Sequence, residues 1–265
     1  MDRPLIRAYR ATVAYDGSGF SGSQIQVNDR TVMGEINFAL STICNHPVRA
    51  TAASRTDSGV HASGQVIGFR TSSPRTAGDI RSGLNGLLPD DVRITDCRET
   101  GFDFHPRYSA VGKEYLYRIL RAKELPPMDR KYVLFIEDHK PFSLDKLVEC
   151  GFQLEGTRDF RSFSPRLEAG ENPEKTIRKV KVTSDGTITD IRYYGSGFLY
   201  QMVRRVVGAM LAIVQGREKD DLILNALENP QTGLIPYNAK PCGLFLERVF
   251  YSEEELNQEF AKTGP

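Results

Sequence analysis

The order of elements in the first hundred residues constrains the fold more than any other feature. Residues 7–15 read as a strand, because Tyr9, Thr12, Val13 and Tyr15 favour extended backbone. Thr31 is placed to cap a helix running to about Cys44, with Val32, Ile36, Ala39, Leu40 and Ile43 on its apolar face. Residues 48–53 and 65–69 read as two strands around a polar loop. Residues 76–87 predict a second helix that stops near Gly86 and Pro89, and 91–99 return as a strand. Strand, helix, two strands, helix, strand is the ferredoxin-like, split β-α-β pattern. It places the helices on one face of an antiparallel sheet and leaves the other face open.

The remainder of the chain repeats that content without repeating the sequence. Residues 114–120 predict a strand with Tyr115, Tyr117 and Ile119 on one face and Leu116, Arg118 and Leu120 on the other. A strand at 132–136, a helix at 144–154 capped by Ser143, and a hairpin of 176–183 with 187–194 turning at Asp185-Gly186 follow. A helix is predicted over 198–214, buried along Leu199, Met202, Val203, Val206, Met210 and Leu211. Arg204 and Arg205 do not both suit such an interior, so one of them is expected to face a carboxylate or a phosphate. A short helix at 220–227, a closing strand at 243–251 and a polar, acidic segment at 252–265, read as a capping helix with a frayed end, complete the chain. The expected class is α+β: two ferredoxin-like half-domains, residues 1–108 and 109–265, with mainly antiparallel sheets flanking a basic cleft.

Composition narrows the function. An apolar fraction of 40% over 265 residues supports a real core, and the net charge of +1 is too small for binding a polyanion by bulk charge. Charge is instead local. From 175 to 217, Lys175, Arg178, Lys179, Lys181, Arg192, Arg204, Arg205 and Arg217 face only Asp185 and Asp190, a pattern suited to a phosphate backbone. Cys44, Cys97, Cys150 and Cys242 are far apart and share no metal spacing with the four histidines, so no metal site is expected and a reducing compartment fits. No apolar run follows the arginines near the N-terminus, so no signal peptide is expected, and no apolar run approaches the roughly 20 residues that span a bilayer.

The chemistry concentrates at 53–69, where Arg55, Asp57 and His61 lie among small turn formers between two strands. An ionised aspartate can attack carbon and form a covalent intermediate. Asp-Ser-Gly is also an ordinary turn, so a bracing role for Asp57 stands beside the catalytic one. The glycine-rich stretch 16–23 lacks the ending of a phosphate loop and leads to Gln24 and Gln26, whose amides suit phosphate, ribose or base edges, or simply an exposed loop. Residues 158–165 interleave arginine with phenylalanine, a pairing that suits a stacked, charged polymer or, alternatively, a local salt bridge around Asp159.

Ser54-Arg55-Thr56-Asp57-Ser58-Gly59-Val60-His61-Ala62 resembles the Gly-Arg-Thr-Asp-x-Gly-Val-His-Ala motif of the TruA family of tRNA pseudouridine synthases. Tyr15-Asp16-Gly17-x-x-Phe20, Gln24-x-Gln26, Thr31-Val32 and Leu84-Asn85-x-x-Leu88-Pro89 resemble further family motifs, as do Phe104-x-x-Arg107-x-Ser109-Ala110, Lys113-x-Tyr115-x-Tyr117 and Asp159-Phe160-x-x-Phe163. Phe198-Leu199-x-x-Met202-Val203-Arg204-x-x-Val207-Gly208 and Gly243-Leu244-x-Leu246-x-x-Val249-x-Tyr251 complete a series covering roughly residues 10–251. The resemblance implies the pseudouridine synthase fold and a cytoplasmic homodimer that uses no cofactor. Its substrate would be tRNA, with uridines 38, 39 and 40 of the anticodon stem-loop as targets. It implies Asp57 as nucleophile, Arg204 as its partner, Tyr115 against the base, and Arg55 in the gap left by the flipped nucleotide. Gln24, Gln26, His61, Arg107, Lys113, Arg161 and Arg205 are implied as substrate-binding. A related enzyme on another RNA, or a non-catalytic tRNA chaperone, are the rival expectations. The chain departs from the family pattern at Ser23, where tryptophan is usual, and at Ser54, where glycine is usual.

Overall fold

A computed structural model describes residues 5–262. Contacts divide the chain into two compact units, Met1–Val111 with Leu246–Pro265, and Gly112–Phe245. The 246–262 segment thus packs with the first unit, because its strand pairs there.

In the first unit β1 (Arg7–Tyr15), α1 (Val32–Cys44), β2 (Thr51–Ala52), β3 (His61–Thr71), α2 (Ala77–Leu87) and β4 (Val92–Thr100) follow the predicted order. β1 lies between β4 and β3, antiparallel to both, and β2 is antiparallel to β3. This is the ferredoxin-like arrangement. Thr31 caps α1 by accepting the Gly34 N–H, and Thr76 forms a capping box with Asp79; such caps contribute about 1 kcal/mol each. Tyr9, Val13, Ile36, Leu40, Ile67, Ile80 and Leu84 are fully buried and form the core between sheet and helices. Residues from Leu246 of β10 (Leu244–Phe250) lie beside β3, and α6 (Glu253–Lys262) follows. The frayed end expected at 263–265 falls outside the described residues.

In the second unit β5 (Gly112–Ala122) pairs antiparallel with β9 (Ile188–Gly195) and parallel with β6 (Leu134–Glu137). β8 (Glu174–Ser184) pairs with β9 as the predicted hairpin, and β7 (Gly156–Asp159) adds to β8. The helices are α3 (Leu144–Leu154), α4 (Met202–Val214) and α5 (Leu222–Glu228). Tyr117, Tyr193, Phe160, Phe163 and Leu147 are buried at its centre.

Two differences from the sequence reading bear on function. β3 begins at His61 rather than Gln65, so the aspartate loop is short and His61 belongs to a strand. α4 begins at Met202 rather than Phe198, because Gln201 adopts a left-handed conformation (φ 57°) that stops the helix. Arg204 and Arg205 therefore occupy its first turn and not its middle.

Candidate active site

The aspartate loop of the first unit is built by hydrogen bonds that converge from three segments. At its start, the Ala53 N–H donates to Val66 O at 2.8 Å. Gln65, buried in β3, accepts the Ser54 N–H at 3.2 Å and donates to Ser54 O at 2.7 Å. Thr56 is held on both sides. Its N–H donates to Ser23 Oγ at 2.8 Å, its carbonyl accepts the Ser23 N–H at 3.0 Å, and its hydroxyl lies 2.8 Å from Tyr15 OH. Ser58 Oγ donates to Phe20 O at 3.0 Å, and the Val60 N–H closes a turn on Asp57 O at 3.1 Å. Gly59 takes φ 77° within that turn, a conformation that suits glycine.

Asp57 is half-buried and Arg55 exposed, and the residues between and beside them are held by the hydrogen bonds above. Ser23 is 2% exposed and Thr56 7%, so these bonds are out of water and breaking them leaves a buried group unsatisfied. Burial pushes the Tyr15 hydroxyl up to about 12, against hydrogen bonds from Thr56 and Gln65 that pull it down. Tyr15 is thus a neutral brace at physiological pH.

His61, 1% exposed, accepts the Gly17 N–H on Nδ1 at 3.1 Å and lies 3.3 Å from Asp16 Oδ1. This contact ties the glycine-rich segment to the aspartate loop. A Cβ at Gly17 would sit 1.9 Å from Val60 O, so the approach requires glycine. Beyond it, Arg30 stacks over Phe20 (4.1 Å) and forms a bidentate pair with Asp91 at 2.8 and 2.9 Å. Gln24 and Gln26 are exposed, and Gln26 Nε2 donates to Ser21 O at 2.6 Å within its own loop. Arg107 is exposed on the connector 102–109.

In the second unit β5 carries Lys113, Glu114 and Tyr115, all buried. The Tyr115 ring meets Phe198 edge-on at 4.8 Å between centroids. On the opposite face of the strand, Glu114 accepts from Arg192 Nη1 at 2.8 Å and from Tyr194 OH at 3.1 Å. The first turn of α4 is fixed by carbonyls. Arg204 Nε donates to Ala239 O at 2.9 Å while the Ala239 N–H donates to Arg204 O at 3.0 Å, and Arg205 Nη1 donates to Ile235 O. Burial and the neighbouring Arg204 lower the Arg205 guanidinium from its usual range. Cations oppose the helix dipole at this end, and the carbonyl acceptors offset that cost.

The interleaved segment 158–165 does not present its aromatics for stacking. Phe160 and Phe163 are both 0% exposed and belong to the core. Asp159 instead accepts the Arg161 N–H at 3.0 Å and its Nε at 2.8 Å, the local salt bridge that was the alternative reading.

The sequence reading singled out Asp57, Arg55, Gln24, Gln26, His61 and Arg107 in the first unit. In the second it singled out Lys113, Tyr115, Arg161, Arg204 and Arg205. It missed Tyr15, Ser23, Thr56 and Gln65 as the frame of the aspartate. Ser23 carried a signal as a departure from the family pattern, but nothing in the sequence showed that its hydroxyl reaches Thr56. All four cysteines are free thiols, and no metal-binding cluster occurs among the described residues. No helix among those residues is long and apolar enough to cross a membrane.

A family model described as tRNA pseudouridine synthase matches residues 11–109 and 152–252. A tRNA pseudouridine synthase A of Exiguobacterium sibiricum is 36% identical over 252 residues, covering 94% of this chain and 99% of that protein. One of Geobacillus kaustophilus is 39% identical over 255 residues, covering 95% and 97%. A solved H/ACA ribonucleoprotein bound to a substrate RNA containing 2′-deoxyuridine aligns over 77% of this chain and 52% of that chain. At 12% identity and a TM-score of 0.33 it is too distant to argue from.

Proposed function

Because the chain belongs to the tRNA pseudouridine synthase family, and so isomerises uridine to pseudouridine in tRNA, we propose that Asp57 is the nucleophile of that reaction. The chain has the pseudouridine synthase fold, α+β with mostly antiparallel sheets. The observation that carries the proposal is the frame around the loop. Thr56, the residue next to Asp57, is held between Ser23 and Tyr15 by buried hydrogen bonds of 2.8 Å. A carboxylate on so fixed a loop can meet a ribose carbon without reorganisation.

The reaction breaks the bond from ribose C1′ to uracil N1 and forms one from C1′ to C5. The proton leaves C5 and N1 gains one, so the product is an isomer and the ledger needs no electron donor. On this reading the Asp57 carboxylate holds the ribose while the base turns, and Arg204 pairs with the carboxylate. The Tyr115 ring stacks on the base and its hydroxyl takes part in removing the C5 proton. Arg55, exposed beside the loop, fills the stack vacated by the flipped nucleotide; extrusion costs a few kcal/mol, which such a filler recovers in part. Gln24, Gln26, Arg107, Lys113, Arg161 and Arg205 serve RNA binding, and His61 acts by holding Gly17 against the loop. The targets are uridines 38, 39 and 40 of the anticodon stem-loop, and the working form is a cytoplasmic homodimer.

Product mapping on unmodified tRNA tests the reading. Asp57→Ala should lower pseudouridine formation by at least about 10³-fold while tRNA affinity stays within a few-fold. Full activity in that variant would remove Asp57 from the chemistry, and modification outside 38–40 would move the target.

A further inference from the structure

We propose that Arg166 and Tyr200 form a stacking platform on which a nucleobase flanking the target uridine rests, an affinity element of the second unit; the inference builds on the tRNA reading above. Tyr200 is 39% exposed although its neighbours Leu199 and Met202 are 4% and 2% exposed. Its backbone is pinned: Ser164 Oγ, itself fully buried, lies 2.9 Å from Tyr200 O and 2.6 Å from Arg166 O. One hydroxyl thereby ties the 164–166 loop to the segment entering α4. The ring is steered at its far end as well, where Gln201 Nε2 donates to Tyr200 OH at 3.2 Å and Asn238 Nδ2 donates to Gln201 Oε1 at 3.2 Å. The exposed Arg166 guanidinium sits over this ring at 4.8 Å.

That spacing leaves no room for a base between the two side chains. The side of the guanidinium away from the ring is what remains to stack. A guanidinium in this position offers a π-face to any base and keeps its N–H donors in plane for a phosphate or a base edge. Arg204 and Arg205 open the helix that Tyr200 leads into, so the platform lies in the segment that also carries the arginine assigned to the carboxylate.

The test is the dissociation constant of unmodified tRNA for the full-length protein, measured beside pseudouridine formation. Arg166→Ala and Arg166→Lys should each weaken binding about tenfold, equivalent to about 1.4 kcal/mol, since lysine keeps the charge but not the plane. Tyr200→Leu should do the same, and Tyr200→Phe, which keeps the ring, should stay within about twofold. In turnover the effect should fall on KM rather than kcat. A substrate made abasic at the stacked position should bind wild type about tenfold more weakly and Arg166→Ala no more weakly than the intact substrate does.

If Arg166→Lys binds like wild type while Arg166→Ala does not, the residue is a point charge on a phosphate and the platform is refuted. Unchanged affinity across the series refutes it as well. Should Tyr200→Leu unfold, the Arg166 pair decides alone, because that side chain is exposed. Absence of pseudouridine from the wild-type protein would overturn the functional reading instead, and the affinity series would still decide the platform.

Discussion

The aspartate loop and the arginine turn hold the side chains proposed to act in the reaction by opposite means. Around Asp57 the frame is made of neutral groups: the Ser23, Thr56 and Tyr15 hydroxyls, the Gln65 amide and backbone. They come from widely separated positions and are buried, so the frame is a product of the whole first unit. Around Arg204 and Arg205 the side chains themselves are the donors, and the acceptors are backbone carbonyls of one following segment, Ile235 to Ala239. A frame of hydroxyls and an amide fixes the backbone on either side of the carboxylate by directional hydrogen bonds. A carbonyl cradle fixes the direction of a guanidinium. Loss of an aspartate-frame group should therefore disturb stability and rate together. Loss of an arginine should disturb rate more than stability.

The sharpest way to break this contrast is Arg204→Lys. Lysine restores the charge but cannot donate to Ala239 O through a rigid Nε–H while presenting a fork. We expect single-turnover pseudouridine formation to fall on the order of 10²-fold, as when one preorganised donor is lost, with a melting temperature near that of wild type. Near-normal single-turnover kinetics would mean that charge alone suffices and that the cradle does not set direction.

Much of the fold was legible, for identifiable reasons. Alternating β-branched and aromatic residues marked β1, Thr31 and Ser143 marked two helix starts, and Asp185-Gly186 marked the hairpin turn. The start of α4 was not legible, since Phe198 and Leu199 continue the apolar periodicity and only the backbone at Gln201 interrupts it. The fate of Phe160 and Phe163 was also hidden, because an aromatic next to arginine reads the same whether it faces solvent or core. At the site, the residues proposed to react were singled out through the family motif. Their supports were not, since Tyr15, Ser23 and Gln65 reach the loop only once β1, β3 and the 16–23 segment are folded together.

Ser23→Ala tests the neutral frame where it is tightest. The variant removes the acceptor of the Thr56 N–H and leaves that donor buried and unsatisfied, which costs about 1–3 kcal/mol. Denaturant unfolding should show that loss, and turnover should fall together with it, roughly tenfold, because the loop that carries Asp57 loosens. A stability loss with unchanged turnover would show that the hydroxyl braces the fold without positioning the carboxylate.

The smallest expected effect is a pH effect at Tyr15, and it probes the same frame by charge instead of by deletion. Folding raises this hydroxyl from its ordinary value of 10.0 to about 12, chiefly by burial. The folded state therefore keeps its proton where the unfolded chain has begun to lose it. The resulting stabilisation is fully present below pH 10 and is lost as the pH climbs toward 12. At pH 11 the loss attributable to this one group is about 1.4 kcal/mol. Tyr15→Phe removes it, while Tyr117, Tyr193 and Tyr251, also shifted upward by burial, remain in both proteins and cancel. Unfolding free energies from pH 9 to 11 should thus fall more steeply for wild type than for the variant, by about that amount. Parallel profiles would mean that Tyr15 is not held in a dry pocket, and that the hydroxyl contact to Thr56 is open to water.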